Sequence, residues 1–357
     1  MKKLILILVA LLLSACTYPQ TTKNTNKISL KKDIDLIIKK ANKTYKSENI
    51  IISIMNSKTG EIIYMSDKKL ATQYEFEPGS LLKPISIAIA FNNNKLKEDD
   101  LIFAYNNSAK NKNGLYERGK IKVDSWTIGD DHKFNKHNLT VNDIIIYSSN
   151  IGTLQIANRL NAREFLDGMQ DFGFSKKSGI DIKNEKIGFL NSYNQYNSKR
   201  DKNNLNIFIA TSSYGHGIKA TPIQLLKAYN TFNNDGKILT PYIKNKILEQ
   251  KQIISTNTVN IMKKYLINTV KNGTARNTNL ANIEIGAKTA TAPISIDGKY
   301  TRLYNSSIFG FANIKNKKYT IGVTVVKPQS KGRYWYYYYA SNSAVPIFKD
   351  VVKVLIK

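Results

Sequence analysis

Strand-like runs of β-branched and apolar residues stand at both ends of this chain, with helical patterns between them. Near the N-terminus, NIIISIMNSKTGEIIYMSD (residues 49–67) reads as two strands joined at Lys58, Thr59 and Gly60, because Thr-Gly between β-branched runs is hairpin chemistry. From about residue 285 onward, IEIGAKTATAP, NSSIFGFANIK and KYTIGVTVVK read as three consecutive antiparallel strands. The intervening chain carries apolar residues at helical spacing from Ser80 to about Lys95, around 140–172 and around 221–233. Further helices are expected over 31–46 (Ile34, Leu36, Ile37, Ile38, Ala41) and over AVPIFKDVVKVLIK at the C-terminus. Residues 100–138 are polar and broken by Asn and Gly, an excursion of loops and short strands. Strands at both ends therefore close into one sheet around a helical insert, an α/β fold of the α+β kind, with no internal repeat.

The first residues, MKKLILILVALLLSAC, have the form of a secretory signal: two lysines, an apolar run and small residues before Cys16. The run is shorter than the roughly 20 residues a membrane-spanning helix needs. Cys16 is the only cysteine, so no intramolecular disulfide forms. Leu-Ser-Ala-Cys resembles the lipobox of bacterial lipoproteins, which implies a lipid on Cys16 and a membrane anchor made of acyl chains. The expected organisation is a signal peptide at 1–15, a lipidated cysteine with a polar tether at 16–29, and one domain over 30–357. The formal charge is +28, two units of which belong to Lys2 and Lys3 of the leader. So large a charge favours anionic neighbours. Export argues against nucleic acid and leaves lipid headgroups and cell-wall polymer.

In EFEPGSLLKP, Ser80 and Lys83 stand three residues apart at a helix start, on one face. Serine is a weak nucleophile and needs an adjacent base, and lysine serves as that base when burial and a neighbouring positive charge lower its pKa. The apolar helix after Ser80 supplies the burial, and Lys288 the charge. SLKK at Ser29 and SDKK at Ser66 match the spacing but lack the Pro-Gly entry and the apolar helix. Ser148 and Asn150, in YSSNIG, offer a second hydroxyl to relay a proton and an amide to align a peptide. Ser-x-Asn recurs at Ser47 and Ser192, and the plain reading of 148–150 is a cap on the following helix. In GAKTATAP, Lys288 with the hydroxyls of Thr289 and Thr291 is set to bind a carboxylate, and the Thr291 and Ser80 N–H groups to form an oxyanion hole. The intact Lys58-Thr59-Gly60 lies at a hairpin turn and is a decoy.

The order Ser-x-x-Lys, Ser-x-Asn, Lys-Thr-small resembles the penicillin-binding proteins, and most of all the transpeptidase domain of the class B enzymes. SKTGEIIYM, FEPGSLLKP, YSSNIG, YGHGIKATPIQL, NGTA and SAVPIF extend the likeness over roughly residues 30–357. The resemblance implies a penicillin-binding-protein or serine β-lactamase-like fold, an antiparallel sheet packed by helices with an all-helical subdomain. It implies a peptidoglycan D,D-transpeptidase, forming an acyl-enzyme on Ser80 with D-Ala-D-Ala stem peptides and taking β-lactams covalently. The alternatives are a D,D-carboxypeptidase, a β-lactamase, or a non-catalytic penicillin-binding scaffold or sensor. A glycan polymerase is a candidate partner, the cell envelope the expected location, and no cofactor is called for. Two departures stand out: the usual membrane helix and pedestal domain are replaced by the short tether, and Ala290 stands where the family has glycine. Asp130, Asp131, His132 and His137 in GDDHKFNKH invite a metal reading, but lack helical His spacing and cysteine, so no metal is expected. His216, in YGHG, reads as part of a structural turn near the site, and RYWYYYY (333–339) as a partly buried loop or an aromatic platform.

Overall fold

The computed structural model describes residues 28–106, 109–245, 249–329 and 336–357. The leader, Cys16 and Arg333 to Trp335 of the aromatic run lie outside these residues. In chain order the elements are helix α1 (28–45), β1 (Asn49–Asn56), β2 (Ile62–Met65), α2 (Lys68–Gln73) and α3 (Lys83–Asn92). Four short strands follow, β3 (Leu101–Phe103), β4 (Lys120–Val123), β5 (Trp126–Gly129) and β6 (Asn138–Thr140). The helical insert comprises α4 (Val141–Ile146), α5 (Asn150–Ala157), α6 (Ala162–Asp171), α7 (Tyr193–Tyr196), α8 (Ile207–Ser213) and α9 (Pro222–Asn230). After β7 (Lys237–Leu239), β8 (Gln250–Gln252) and α10 (Thr256–Asn272) come β9 (Glu284–Ile296), β10 (Lys299–Ile314), β11 (Lys317–Val326) and α11 (Ala344–Ile356).

The two ends of the chain do close one sheet. Its order is β2-β1-β11-β10-β9, all antiparallel, with Ile52 opposite Val323 and Ile54 opposite Ile321 across the β1–β11 seam. Alternation then divides the side chains between two faces. One face carries Ile52, Ile54, Ile308, Ile321, Val323 and Val325 against α1 (Ile34, Ala41) and α11 (Phe348, Val351, Val352). The other carries Met55, Ala290, Phe309 and Phe311 against the helical insert. Helix α3 lies inside that insert, every residue from Lys83 to Phe91 buried, as its nearly all-round apolar sequence requires. Among the described residues no helix is long and apolar enough to cross a membrane.

The hairpin at Lys58–Gly60 forms as expected. Asn56 Oδ1 accepts the N–H groups of Lys58 and Thr59, and Gly60 takes a left-handed φ of 79°. The expected helix from Ser80 to Lys95 is shorter than its apolar pattern. Gly79–Leu82 form a 3-10 turn, the α-helix begins at Lys83 with Pro84 in its first turn, and it ends at Asn92.

Candidate active site

Gly79 takes a left-handed φ of 54°, and a Cβ built on it would meet the Ala292 methyl at 3.2 Å and the Ala290 methyl at 3.7 Å. Its N–H donates to the Gly215 carbonyl (3.1 Å), and the Tyr229 hydroxyl donates to the Leu81 carbonyl (2.8 Å). The turn carrying half-buried Ser80 is thus wedged between β9 and the 214–217 loop. Among the described residues the Ser80 hydroxyl makes no hydrogen bond.

Three residues on, Lys83 is buried and donates through Nζ to Ser148 Oγ (3.0 Å) and to the Ser148 carbonyl. Lys288, buried on β9, donates to the same Oγ (2.9 Å) and to the Thr289 carbonyl (2.9 Å). Ser148 accepts from both ammonium groups, which leaves its own proton for a further acceptor. It lies in the middle of the short link, residues 147–149, between α4 and α5 with φ of 61°, a conformation that a non-glycine residue adopts at a cost of about 1–3 kcal/mol. That conformation turns its carbonyl and its hydroxyl onto one lysine.

Burial pulls the Lys83 ammonium down to a pKa of about 8, while Asp130 and Asp131 pull it partly back up. Burial first, and the charge of Lys83 second, hold Lys288 well below the usual lysine range. Two buried cations on one hydroxyl repel, so the pair readily gives up a proton, and a neutral lysine is a base. The arrangement can therefore accept a proton from a nearby hydroxyl and pass one onward through Ser148.

Asn150 begins α5, donating through Nδ2 to the Gly129 carbonyl (2.8 Å), while Ser149 caps the helix by accepting the Gly152 N–H (2.9 Å). The plain cap and the functional reading of 148–150 therefore coexist on neighbouring residues. Asp130, first noted for a metal, anchors this junction instead. Buried at 4% exposure, it accepts from Ser149 Oγ (2.7 Å) and from the N–H groups of Asn150 (2.5 Å) and Ile151 (3.1 Å). Nothing in its loop sequence marks that role. Its loop neighbour His137 bonds Asn106 and stacks on Tyr116 at 3.9 Å. Among the described residues no group of three or more His, Cys, Asp or Glu is placed to hold a metal.

On β9, Lys288 and Ala290 point toward the nucleophile turn, and alternation sends Thr289 and Thr291 to the other face. Thr289 shares a 2.7 Å hydroxyl hydrogen bond with Thr274 of NGTA, a partner that the sequence reading had not singled out for chemistry. Thr291 Oγ1 accepts the Ala340 N–H (3.0 Å) and keeps its own proton. Ala290 is buried at 4% exposure in regular pairing with Ser307. The competing triplets lie elsewhere. Ser29 is exposed on α1, Ser66 bonds the backbone of Ile50 and Ile52, Ser47 bonds Asn42, and Ser192 caps α7. Of the aromatic run, Tyr338 stacks between Tyr304 and Tyr339 (4.5 and 4.4 Å), and Ser306 donates to its carbonyl. That is a partly buried loop packed on β10.

A half-buried serine on a turn wedged against an antiparallel edge strand, with a buried lysine one turn on and a second lysine brought in by that strand, defines a protein built like the serine acyl-transfer enzymes of the cell wall. The comparison with known families is direct: residues 50–353 match the penicillin binding protein transpeptidase domain, and the chain belongs to that family. Stage V sporulation protein D of Bacillus subtilis is 26% identical over 347 residues, covering 87% of this chain and 49% of that protein. The probable peptidoglycan D,D-transpeptidase PenA of Neisseria flavescens is 24% identical over 336 residues, covering 88% and 77%. The chain thus spans about half the length of the first relative and about three-quarters of the second. Among solved structures, the transpeptidase domain of Burkholderia pseudomallei penicillin-binding protein 3 superposes with a TM-score of 0.78 at 23% identity, over 92% of this chain and 93% of that one. That likeness is one of fold, an antiparallel sheet packed by helices.

Proposed function

We propose that this protein is a serine D,D-acyltransferase of the bacterial cell envelope, acting as a peptidoglycan D,D-transpeptidase. The observation that carries the reading is the convergence of two buried lysines, Lys83 one turn on from Ser80 and Lys288 on β9, on the hydroxyl of Ser148. Lys83 takes the proton as Ser80 Oγ bonds to the carbonyl between two terminal D-alanines. The N–H groups of Ser80 and Thr291 receive the developing oxyanion. Breakage of the peptide C–N bond releases D-alanine, whose nitrogen takes a proton through Ser148, and leaves an ester on Ser80. The amine of a neighbouring stem peptide then attacks that ester, giving its proton back to Ser80 and forming the cross-link amide. Asn150 aligns the peptide, and Lys288 holds the terminal carboxylate together with the Thr289 and Thr291 hydroxyls, which reach it around the open edge of β9; the unspent proton of Thr291 suits a carboxylate oxygen. A β-lactam enters by the same acylation. The Ala290 methyl is compatible with this chemistry, because it sits in regular pairing with β10 and even a Cβ on Gly79 would meet it only at an ordinary contact distance of 3.7 Å.

The leader and Cys16 support export, with a lipid on Cys16, a tether to residue 29 and the catalytic domain over 30–357. The domain then works outside the cytoplasmic membrane.

Fluorescent penicillin tests the reading. A stable covalent label that disappears in Ser80→Ala is expected. Label that forms and is quickly lost would indicate a β-lactamase. No label on the native protein but label on Ala290→Gly would indicate a non-catalytic relative.

A further inference from the structure

Helix α1 has two unlike sides. Ile34, Ala41 and Tyr45 are buried in the core that the sheet shares with α11. On the opposite side Ile28, Lys32, Leu36, Lys39 and Lys43 follow one another at steps of three or four residues, which sets them in one stripe. All five are exposed, the two apolar ones to 67% for Ile28 and 49% for Leu36. Between α1 and α11 runs a groove of about 450 Å³, lined by the apolar Leu36, Ile37, Ile347 and Val354 together with Lys40 and Lys353.

The charge of this face is one-sided. Its acids are already engaged: Asp35 by Lys31 (2.6 Å) and the Tyr64 hydroxyl (2.7 Å), Asp33 by Lys357 (3.3 Å), and Asp350 by Lys353 (3.2 Å). Lys32, Lys39, Lys40 and Lys43 have no acidic partner among the described residues. The Lys357–Asp33 pair also brings the last turn of α11, with its exposed Ile356, beside the first turns of α1.

We propose that this face of α1 and α11 lies on the surface of an anionic phospholipid bilayer, with its lysines at the headgroup phosphates and Ile28, Leu36 and Ile356 among the first acyl carbons. Lysines and apolar side chains mixed in one exposed stripe match the order of phosphate and hydrocarbon at a lipid surface. The preceding chain continues the pattern: residues 17–27 include Lys23 and Lys27 and no acid, and Ile28 lies twelve residues after Cys16. Fully extended, twelve residues span at most about 40 Å. A lipid on Cys16 therefore keeps α1, itself about 27 Å long, within reach of the bilayer. A basic face beside an acyl anchor adds a second, charge-dependent contact. Docking this way keeps the sheet between the bilayer and Ser80, because α1 and α11 cover one face and the nucleophile turn packs on the other. Docking needs no catalysis and stands apart from the transpeptidase reading.

The test is co-sedimentation with vesicles of the chain from residue 16 onward carrying Cys16→Ser, so that no lipid contributes. Vesicles containing phosphatidylglycerol should bind it more than about tenfold more tightly than pure phosphatidylcholine, and high salt should remove most of that difference. Lys32→Gln, Lys39→Gln and Lys43→Gln together should weaken binding about a hundredfold, since each lysine at such a surface contributes about fivefold. Lys122→Gln, Lys177→Gln and Lys202→Gln together remove the same charge from exposed positions on β4 and in the loops flanking α7, and should cost less than about fivefold. Leu36→Gln should cost about tenfold on vesicles. All of these side chains are exposed, so urea midpoints and penicillin labelling in solution should stay at the native values. Equal affinity for the two kinds of vesicle, or equal losses in the two triple variants, overturns the proposal. Binding to soluble polyglutamate with the same dependence on Lys32, Lys39 and Lys43, and no loss on vesicles in Leu36→Gln, would identify an anionic polymer as the partner and overturn the bilayer.

Discussion

Lys83 sets the expected pH dependence of acylation. With burial holding its ammonium to about 8, the rate of penicillin labelling should rise as pH climbs through that value and level off above it. A profile flat through this region would remove Lys83 as the base. Asp130 supplies a second check, because its charge pulls Lys83 upward while its oxygens hold the Ser149–Ile151 junction. Asp130→Asn keeps an acceptor for the two N–H groups and removes the charge, so the inflection should move to lower pH. Asp130→Ala strands buried donors as well, and about 1–3 kcal/mol of stability should go with it by urea unfolding. Of these residues, Ser80, Lys83, Ser148 and Lys288 could be picked out from chain order and type. Asp130 and Thr274 could not, since one polar residue in a loop reads like any other until its partners are in place.

At the scale of elements, the turn Gly79–Leu82 and strand β9 act as one unit. Gly79→Ala adds a Cβ at a left-handed φ and 3.2 Å from the Ala292 methyl. The conformational penalty alone is about 1–2 kcal/mol. Labelling should fall by more than tenfold, because β9 and its oxyanion donor are pushed off station. Ala290→Gly removes a buried methyl and relaxes the strand. It should cost about 1 kcal/mol of stability and leave labelling within an order of magnitude. A gain of a hundredfold would show that the methyl suppresses the enzyme. The sheet strands and α11 were legible as elements because alternation and helical spacing are local. The 3-10 turn was not, since Gly79 and Pro84 stop the α-helix short of Ser80 while the apolar pattern runs on.

For the whole molecule, buried cations and phenols bracket the pH of greatest stability. Lys83 binds its proton less tightly in the folded state (about 8) than unfolded (about 10.4). Between those values the unfolded chain holds more protons, so stability rises with pH. Above about 10 the unfolded tyrosines ionise, whereas burial raises Tyr64, Tyr214 and Tyr265 in the fold, so stability then falls. Urea midpoints should therefore peak between these limits, and Lys83→Met should flatten the rising side. By itself the sequence determined the strands at both ends, the helical insert, the decoy at Lys58–Gly60 and the order of the three motifs. These follow from periodicity and turn chemistry, which act over a few residues. Only the tertiary structure decided that Lys83 and Lys288 share Ser148, that Gly79 packs against Ala290 and Ala292, and that Asp130 anchors the Ser149–Ile151 junction. Burial and charge coupling depend on which distant segments meet, and Ser148 and Lys288 meet across 140 residues of chain.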